Sequence, residues 1–317
     1  MKEYKNINKL LKSLSNSTPI YLAGHITPDQ DSICSSIALA EYLTMLGKKA
    51  YVLLADDDKD IIDWLDDDSL ITDKVKSEKF VFISLDVNTK NRLGRYEEYF
   101  EKAELTINID HHQNNKKQSN YVLSKPGISS TCEMIYNLIT CNSKKYLTKK
   151  ICRCLYAGIL TDTNGFTRRI SNKTFGIAQN LVNREIDYVY ITKKTLFETS
   201  IYEAKALAKA INNLLFDGIY YVVIDKKDKD FKDLTNNFVF KHISEELRKI
   251  TDINIFLVMI KNGENITAKI MTNYEDNANK IAELFDGGGH KKEAGFETEK
   301  SVKDILKNIK NFLKKDK

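Results

Sequence analysis

The sequence is poor in proline, arginine and cysteine, and it has no long apolar run. Three prolines among 317 residues, with ordinary hydrophobic and charged fractions, exclude a collagen-like, mucin-like or wholly disordered chain. The five cysteines are odd in number and have no CxxC spacing, which argues against a disulfide framework and a structural zinc site. No run approaches the roughly 20 apolar residues that span a bilayer, and the N-terminus lacks a signal-peptide pattern. We therefore expect a cytoplasmic protein without membrane association.

Positive charge is in slight excess, with a net charge of +5. Only seven of the 49 basic residues are arginine, and the lysines are spread over the whole chain. Arginine is the better bidentate phosphate ligand, so this pattern indicates a compositional trend and not a nucleic-acid-binding stripe. The charge would help an anionic substrate to approach but does not require a nucleic-acid partner.

The length predicts two domains. In residues 1–190, short apolar runs alternate with helical stretches, which predicts an α/β fold: a three-layer domain with a mainly parallel sheet. The predicted strands are Ile20–Ala23, Ala50–Leu54, Phe80–Leu85 and Leu105–Ile109. Residues 191–216 have a polar, helical pattern without a strand signal, and we predict that they form an interdomain linker.

Residues 217–317 predict a second, smaller α/β domain with a mixed sheet. Strands are expected at 219–224, 253–260 and 265–271. The last two would be joined by a hairpin around Asn262 and Gly263, a strong short-range turn signal. Two later helices are expected at 278–285 and 302–313.

Metal-ligating residue types recur just after the predicted strands. They are His25, Asp29 and Asp31 after the first strand, Asp86 after the third, Asp110, His111 and His112 after the fourth, and Asp162 after an apolar helix and a short strand-like run. The carboxyl ends of parallel strands share one edge of a sheet, so these groups are expected to converge there. Imidazoles and carboxylates without cysteine suit Mn²⁺ or Mg²⁺. Two ions would fit if one carboxylate, most simply Asp86, bridges them, an arrangement that hydrolyses phosphate esters.

Two of these features have simpler interpretations when taken alone. An isolated Asp162 is better explained as a helix cap. The run Gly287, Gly288, Gly289 before His290 is either a flexible turn or a backbone cradle for an anion. Because four separate segments carry ligand types, a metal site is the better interpretation of the whole set.

These motifs resemble those of the DHH phosphoesterases. The resemblance is carried by GHITPDQDSICSS, LDVNTKNRLG, NIDHHQNN with the following GISSTCE, GILTDTNGFTRR and, in the second domain, DGGGHKKEAGF, which is similar to a DHH-associated domain. Within the family, the larger number of motifs resembles the nanoRNase and pAp phosphatase branch. PDQDSIC is instead reminiscent of the manganese-dependent family II pyrophosphatases.

The resemblance implies a site residue by residue. One ion would be held by His25, Asp29 and Asp86, and the other by Asp31, Asp86, His111 and Asp162. Both ions would be Mn²⁺, with Mg²⁺ or Co²⁺ as substitutes. His112 would face the substrate phosphate and donate a proton or hydrogen bond to the leaving group, while Asp110 would orient the histidines.

The resemblance also implies substrate contacts. Gly287, Gly288, Gly289 and His290 would grip the substrate from the second domain, with the active site in the cleft between domains. Arg92 is a further candidate phosphate contact. The strand at 266–273 lacks the arginine usual in this branch, and Lys269 is expected to substitute for it. Glu293 stands where a small residue is usual.

The function implied is a manganese-dependent phosphodiesterase and phosphatase. It would hydrolyse short single-stranded RNA or linear dinucleotides of the pApA type to nucleoside monophosphates, and pAp to AMP. The alternatives are an inorganic pyrophosphatase or polyphosphatase, a single-strand exonuclease of RecJ type, and a nucleotide sensor without turnover. The sequence does not determine the oligomeric state, for which a homodimer is one candidate.

Overall fold

The computed structural model describes residues 1–26, 28–55, 62–65, 69–141, 143–273 and 277–315. The chain divides into two compact units, residues 1–198 and 199–317. The boundary falls inside the segment predicted as a linker, whose first eight residues belong to the first unit.

The first unit is built on a six-stranded sheet. Its strands are β1 (Ile20–Ala23), β2 (Ala50–Leu53), β3 (Ile71–Thr72), β4 (Val81–Leu85), β5 (Leu105–Asp110) and β6 (Tyr121–Ser124). Its α-helices are α1 (Lys2–Ser13), α2 (Gln30–Met45), α3 (Glu97–Lys102), α4 (Thr131–Thr140), α5 (Lys149–Asp162), α6 (Asn172–Val182) and α7 (Tyr188–Thr192). A 3₁₀ segment, Lys90–Tyr96, precedes α3. The strand order is β3-β2-β1-β4-β5-β6 and every pair is parallel.

Both faces of this sheet are covered. Ile20 and Leu22 of β1 enter the core that includes side chains of α2, α4 and α5. Tyr21 enters a second core with Phe82 and Phe100. Alternate residues of a strand point to opposite faces, so the parallel sheet is buried between two layers, as the sequence predicts. The α/β, three-layer prediction is confirmed.

The strand order also locates a crevice. From β1 the chain proceeds outward through β2 and β3, then returns to the other side of β1 and continues through β4, β5 and β6. The order therefore reverses between β1 and β4. In open parallel sheets, ligands bind outside the carboxyl ends of the strands at such a switch point.

The second unit contains a mixed six-stranded sheet. Its strands are β7 (Leu215–Phe216), β8 (Tyr220–Asp225), β9 (Ile255–Asn262), β10 (Asn265–Thr272), β11 (Gly288–His290) and β12 (Glu293–Thr298). Its α-helices are α8 (Ile201–Asn212), α9 (Asn236–Phe238), α10 (Ser244–Arg248), α11 (Ala278–Ala282) and α12 (Val302–Lys315). The order is β11-β12-β10-β9-β8-β7, and only the β8–β9 pair is parallel. The predicted hairpin is confirmed, because Asn262 pairs with Asn265 across a turn at Gly263.

Five strands of the described residues were not predicted, namely β3, β6, β7, β11 and β12. Leu215 and Phe216 form strand β7 inside the segment predicted to have no strand. This two-residue strand exists because a turn through Gly218 (φ 76°) folds it back on β8, which is a long-range effect that its own pattern does not show. The short strands β3 and β6 were missed for the same reason. Gly288–His290 forms an edge strand, β11, where a turn or cradle was expected.

Two glycines, one in β11 and one just before it, allow close packing against β12. A Cβ at Gly287 would lie 2.3 Å from the carbonyl oxygen of Gly295, and one at Gly289 would lie 2.6 Å from Ala294 Cα. Gly289 also has φ 156°. A larger side chain at Gly287 or Gly289 would separate these strands, so these two glycines are explained by close backbone approach, whereas a Cβ at Gly288 would meet only Asn279 Oδ1 at 3.9 Å.

Candidate metal centre

The loop after β1 delivers three predicted ligands at the switch point. Asp29 is the N-cap of α2, and its Oδ1 accepts a hydrogen bond from the Ser32 amide at 3.0 Å. Asp31 lies in the first turn of the same helix. The turn from β1 into α2 is tight because Gly24 has no side chain; a Cβ there would lie 1.7 Å from Ser32 Oγ. His25 follows this glycine, and its Nδ1–H donates to the Ile26 carbonyl at 2.8 Å.

Asp86 follows β4, on the other side of the crevice. Its backbone is left-handed (φ 62°), a conformation that aspartate tolerates better than most residues. Its Oδ2 lies 3.5 Å from His25 Nε2, and its Oδ1 lies 3.4 Å from His111 Nε2. The Thr131 hydroxyl donates to Oδ1 at 2.9 Å. A single buried carboxylate therefore lies between two imidazoles, which is the geometry expected of a bridging ligand.

His111 follows β5 and is held in one orientation. Its Nδ1 lies 3.1 Å from the Ile128 carbonyl, to which the ring N–H donates. Nε2 faces Asp86 and, at 3.5 Å, Asp162 Oδ2, and it is the nitrogen that carries the lone pair when the ring is neutral. A carbonyl that fixes the outer nitrogen of an imidazole is the usual support of a metal-ligating histidine.

Asp31 faces the N-terminus of α4. Its two carboxylate oxygens accept hydrogen bonds from the backbone amides of Thr131 (2.7 Å) and Cys132 (2.8 Å). These are two of the free amides that begin a helix, where the helix dipole stabilises negative charge. Gly158 of α5 allows the close approach, since a Cβ there would lie 3.0 Å from Asp31 Oδ1 and 2.2 Å from Cys132 Sγ.

Asp162 is the last residue of α5, so the prediction that it follows a strand-like run was wrong. The apolar run before it continues the helix because it packs against α2 and α4 in the core. The Arg169 guanidinium binds Asp162 Oδ1. Oδ2 is buried and accepts no hydrogen bond from any residue that the structure describes. A buried carboxylate oxygen without a donor is costly, and a cation would satisfy it.

Three groups of side chains bring their ligand atoms within 4.8 Å of one another. They are His25, Asp29 and Asp86; Asp31, His111 and Asp162; and Asp86, His111 and His112. The groups overlap at Asp86 and His111. All six residues predicted as metal ligands therefore lie in two adjoining groups, and the donor set of carboxylate oxygens and imidazole nitrogens fits a divalent cation such as Mn²⁺ or Mg²⁺.

His112 and Asp110 form a pair beside these groups. His112 Nδ1 lies 2.7 Å from Asp110 Oδ1, and the fully buried Asp110 also accepts a hydrogen bond from Asn115 Nδ2 at 2.7 Å. Asn115 is oriented in turn by Asn108 Oδ1 at 2.7 Å. The His112 side chain is 27% exposed, in contrast to 5% for His111, so it presents its ring toward the solvent side of the site.

The carboxylates hold the imidazoles in their charged form. Burial alone lowers the pKa of His25, but the hydrogen bond with Asp86 and the charges of Asp29 and Asp86 outweigh it and raise the pKa to about 9. Burial also lowers the pKa of His111, but Asp86, Asp162 and Asp31 outweigh this effect and raise the pKa to about 10. Burial would raise the pKa of Asp86, but its histidine partners hold it well below the usual range.

These pKa shifts predict that metal binding releases protons. A dication requires neutral imidazole, whereas His25 and His111 are protonated at pH 7, below pKa values of about 9 and 10. Mn²⁺ affinity should therefore rise from pH 6 to 8.5, with protons released on binding, as measured by calorimetry in buffers of different ionisation enthalpy. A pH-independent affinity without proton release would contradict the assignment.

The same shifts predict how the stability of EDTA-treated protein varies with pH. Because the folded pKa values of His25 and His111 are raised, their stabilisation is complete below the unfolded value of about 6.5 and is lost as pH rises through about 9 to 10. The free energy of unfolding should therefore fall between pH 6.5 and 10. Denaturant titrations at several pH values would measure this decline.

Other predicted contacts are placed as follows. Arg92 is exposed, and its backbone carbonyl accepts a hydrogen bond from the Ile26 amide at 2.6 Å. Lys269 lies on β10 of the second unit and is ion-paired with Glu293, which also binds Arg248 NH2 at 2.6 Å. The Gly289 amide donates to Asn279 Oδ1 at 2.8 Å. The side chain of His290 is outside the described part of the chain.

Sequence reasoning missed several residues of the site. Asn108 and Asn115 stand in the quoted segment NIDHHQNN, but a spacing of seven residues gave no sign that one orients the other. Arg169, which binds Asp162, stands in the quoted segment GILTDTNGFTRR but was not predicted as a contact of the site. Arg248, which reaches the partner of Lys269, lies on another element and carries no local signal.

A parallel sheet with an Asp-His-His segment after β5, converging with acidic groups at the switch point, defines the class of protein. Residues 19–159 match the model of the DHH family, N-terminal domain. The resemblance to this family that the motifs carry is thus confirmed over these residues.

Over nearly its whole length the chain is similar to several relatives, two of which are NrnA proteins. It is 25% identical over 320 residues to the probable bifunctional oligoribonuclease and PAP phosphatase NrnA of Streptococcus mutans, covering 99% of this chain and 100% of the relative. It is 26% identical to NrnA of Thermus thermophilus, covering 91% and 86%. The crystal structure of an exopolyphosphatase-related protein from Bacteroides fragilis has the same fold, with a TM-score of 0.84, 22% identity and coverage of 99% and 96%.

No helix among the described residues combines the length and the apolar character needed to cross a membrane.

Proposed function

We propose that this protein hydrolyses short 5′-phosphorylated oligoribonucleotides or linear dinucleotides of the pApA type to nucleoside monophosphates, and pAp to AMP. The observation that carries the proposal is the pair of adjoining ligand groups that meet at Asp86 and His111. The similarity to NrnA relatives over 99% and 91% of the chain supports the same substrate class. Two Mn²⁺ ions are the proposed cofactors, replaceable by Mg²⁺ or Co²⁺.

In this proposal, His25, Asp29 and Asp86 hold one ion, and Asp31, Asp86, His111 and Asp162 hold the other. Bound ions would activate water and neutralise the leaving oxygen. The other contacts in the site hold the ligand residues in position. The Thr131 hydroxyl holds Asp86 in place, and the backbone amides at the start of α4 hold Asp31. The Ile128 carbonyl orients the His111 ring so that Nε2 faces the other ligand residues.

His112 is the proposed proton donor to the leaving group. Burial lowers its pKa, but the hydrogen bond with Asp110 and the charge of Asp86 outweigh this and raise the pKa above the usual value. These interactions favour the charged ring, which can donate a proton. Asp110, fixed by Asn115, positions it.

The second unit is proposed to bind the remainder of the substrate. Lys269 and Arg248 bring two cations to the carboxylate of Glu293, a residue whose backbone pairs with that of His290 between β11 and β12. A guanidinium can bind a phosphate through two parallel hydrogen bonds, which a lysine cannot do. Arg248 is thus a candidate for the role of the arginine that is missing from β10.

Product analysis would test the proposed function. The purified protein is incubated with Mn²⁺ and pApA, pAp, a short RNA and pyrophosphate, and the products are separated and identified. We expect AMP from pApA and from pAp, and monophosphates from the RNA. Phosphate released from pyrophosphate alone would favour the pyrophosphatase alternative, and absence of all products would favour a sensor.

A further inference from the structure

A cavity of about 270 Å³ opens beside the metal-ligand groups, within the first unit. His25 belongs both to its lining and to one of those groups. The loop after β1 forms one wall, the end of β2 another, and the segment before α3 a third. A larger cavity of about 390 Å³ in the second unit contains none of the predicted site residues in its lining.

The walls of the 270 Å³ cavity are largely apolar. Ile26, Val52, Leu54 and Leu93 line it, together with the ring of Tyr96. Apolar walls do not stabilise hydrated ions, pyrophosphate or polyphosphate, which carry no apolar surface to bury. Besides that of Tyr96, the polar side chains in the lining are His25, Ser36 and Arg95. The apolar walls suit an uncharged organic group attached to the phosphate that reaches the metal-ligand groups.

The position of this cavity is set by the backbone. The Ile26 amide donates to the Arg92 carbonyl at 2.6 Å, which joins the loop after β1 to the segment that carries Leu93. Gly94, at φ 55°, allows this contact to be close, since a Cβ there would lie 3.2 Å from Ile26 Cβ. The wall is therefore held by backbone contacts, which favours a preformed pocket.

The size of the cavity limits its occupant. Pockets for drug-sized ligands span roughly 300 to 1,000 Å³, so a cavity of 270 Å³ takes one ring system and not a whole dinucleotide. The exposed Arg95 also lines it, and a guanidinium plane stacks on flat heteroaromatic rings.

We infer that this cavity binds the nucleobase of the nucleotide whose phosphate lies at the metal-ligand groups. The inference rests on the proposed function, in that it names the part of the substrate recognised beside the reacting phosphate. Base binding in this cavity makes the first unit selective for nucleotides over inorganic phosphates, independently of the second unit.

The test compares AMP with methyl phosphate, which shares the phosphate ester and lacks the base. Calorimetric titration of the Mn²⁺-loaded protein should show AMP binding at least tenfold more tightly. In Ile26→Trp, which fills the cavity from a side chain that is 46% exposed, this ratio should fall to within about twofold. Leu54→Phe fills it from a different element and should act in the same direction.

Met45→Trp is the matched control, because Met45 is 42% exposed in the same unit and does not line the cavity. It should keep the wild-type ratio. Methyl phosphate affinity in Ile26→Trp should also stay within about twofold of wild type, since a disturbed metal centre would weaken both ligands. An unchanged AMP preference in both filled variants, or no preference in the wild type, would overturn the inference.

Turnover of pApA separates this inference from the proposed function. A wild-type protein that hydrolyses pApA but binds AMP and methyl phosphate equally would overturn the base pocket alone. A protein that prefers AMP in the Ile26-dependent manner but leaves pApA intact would support the pocket and contradict the proposed hydrolase.

Discussion

Asp86→Asn is expected to lower Mn²⁺-dependent hydrolysis of pApA by at least about 10³-fold. Asp86 is the carboxylate shared by both proposed ion sites, and its two oxygens lie 3.5 and 3.4 Å from the imidazoles of His25 and His111. An amide has one neutral oxygen and cannot bridge two cations. Steady-state kinetics with saturating Mn²⁺, together with metal analysis of the dialysed variant, would measure both losses.

The variant is expected to remain folded. Asparagine tolerates the left-handed backbone at position 86 (φ 62°) as well as aspartate does, and it can still accept the Thr131 hydrogen bond. Asp73→Asn is the matched control, because Asp73 is exposed in the same unit and outside the site. Activity in Asp86→Asn close to that of the control would refute the metal-site assignment.

His112→Ala is expected to lower kcat by about 10²- to 10⁴-fold while Mn²⁺ binding is retained, because His112 is proposed to donate the proton and not to hold an ion. Its ring is oriented by Asp110 at 2.7 Å. The measurement is kcat beside a calorimetric Mn²⁺ titration. If the variant lost its metal as well, His112 would instead be a ligand, as its place in a third group with Asp86 and His111 allows.

Asp110 gives a second test of the same role. The hydrogen bond with Asp110 contributes to the raised pKa of His112, so Asp110→Asn should move the alkaline limb of the rate profile to lower pH. A purely structural effect would lower activity at every pH without moving that limb. His242→Ala is the control, since His242 stacks on Phe238 in the second unit and lies outside the predicted site.

Much of the site could be predicted because its chemistry is local in sequence. His25, Asp29 and Asp31 occupy one loop and helix start, and Asp110, His111 and His112 are consecutive. Their positions after apolar β-rich runs place them at the carboxyl edge of a parallel sheet. The apolar runs by themselves support this placement, because a strand that is buried on both faces requires a continuous apolar run.

Asp162 marks the limit of that reasoning. A rule that ligands follow strands led to a residue that lies in one of the ligand groups, but by the wrong element, since α5 continues to Asp162 itself. The apolar run before it is compatible with either a strand or a buried helix, and only packing against α2 and α4 decides between them. The edge strand β7 and the glycine strand β11 were misjudged in the same way, because a short strand is stabilised mainly by the partner beside it.

What the sequence determined by itself is therefore the α/β class, the family and the identity of the ligand-type residues. Each depends on residue type and short spacing. The tertiary structure alone decided how those groups are held: Asp31 by amides a hundred residues away on α4, His111 by the Ile128 carbonyl, and Lys269 by a carboxylate shared with Arg248. These contacts join elements through strand order and helix packing, which no local pattern encodes.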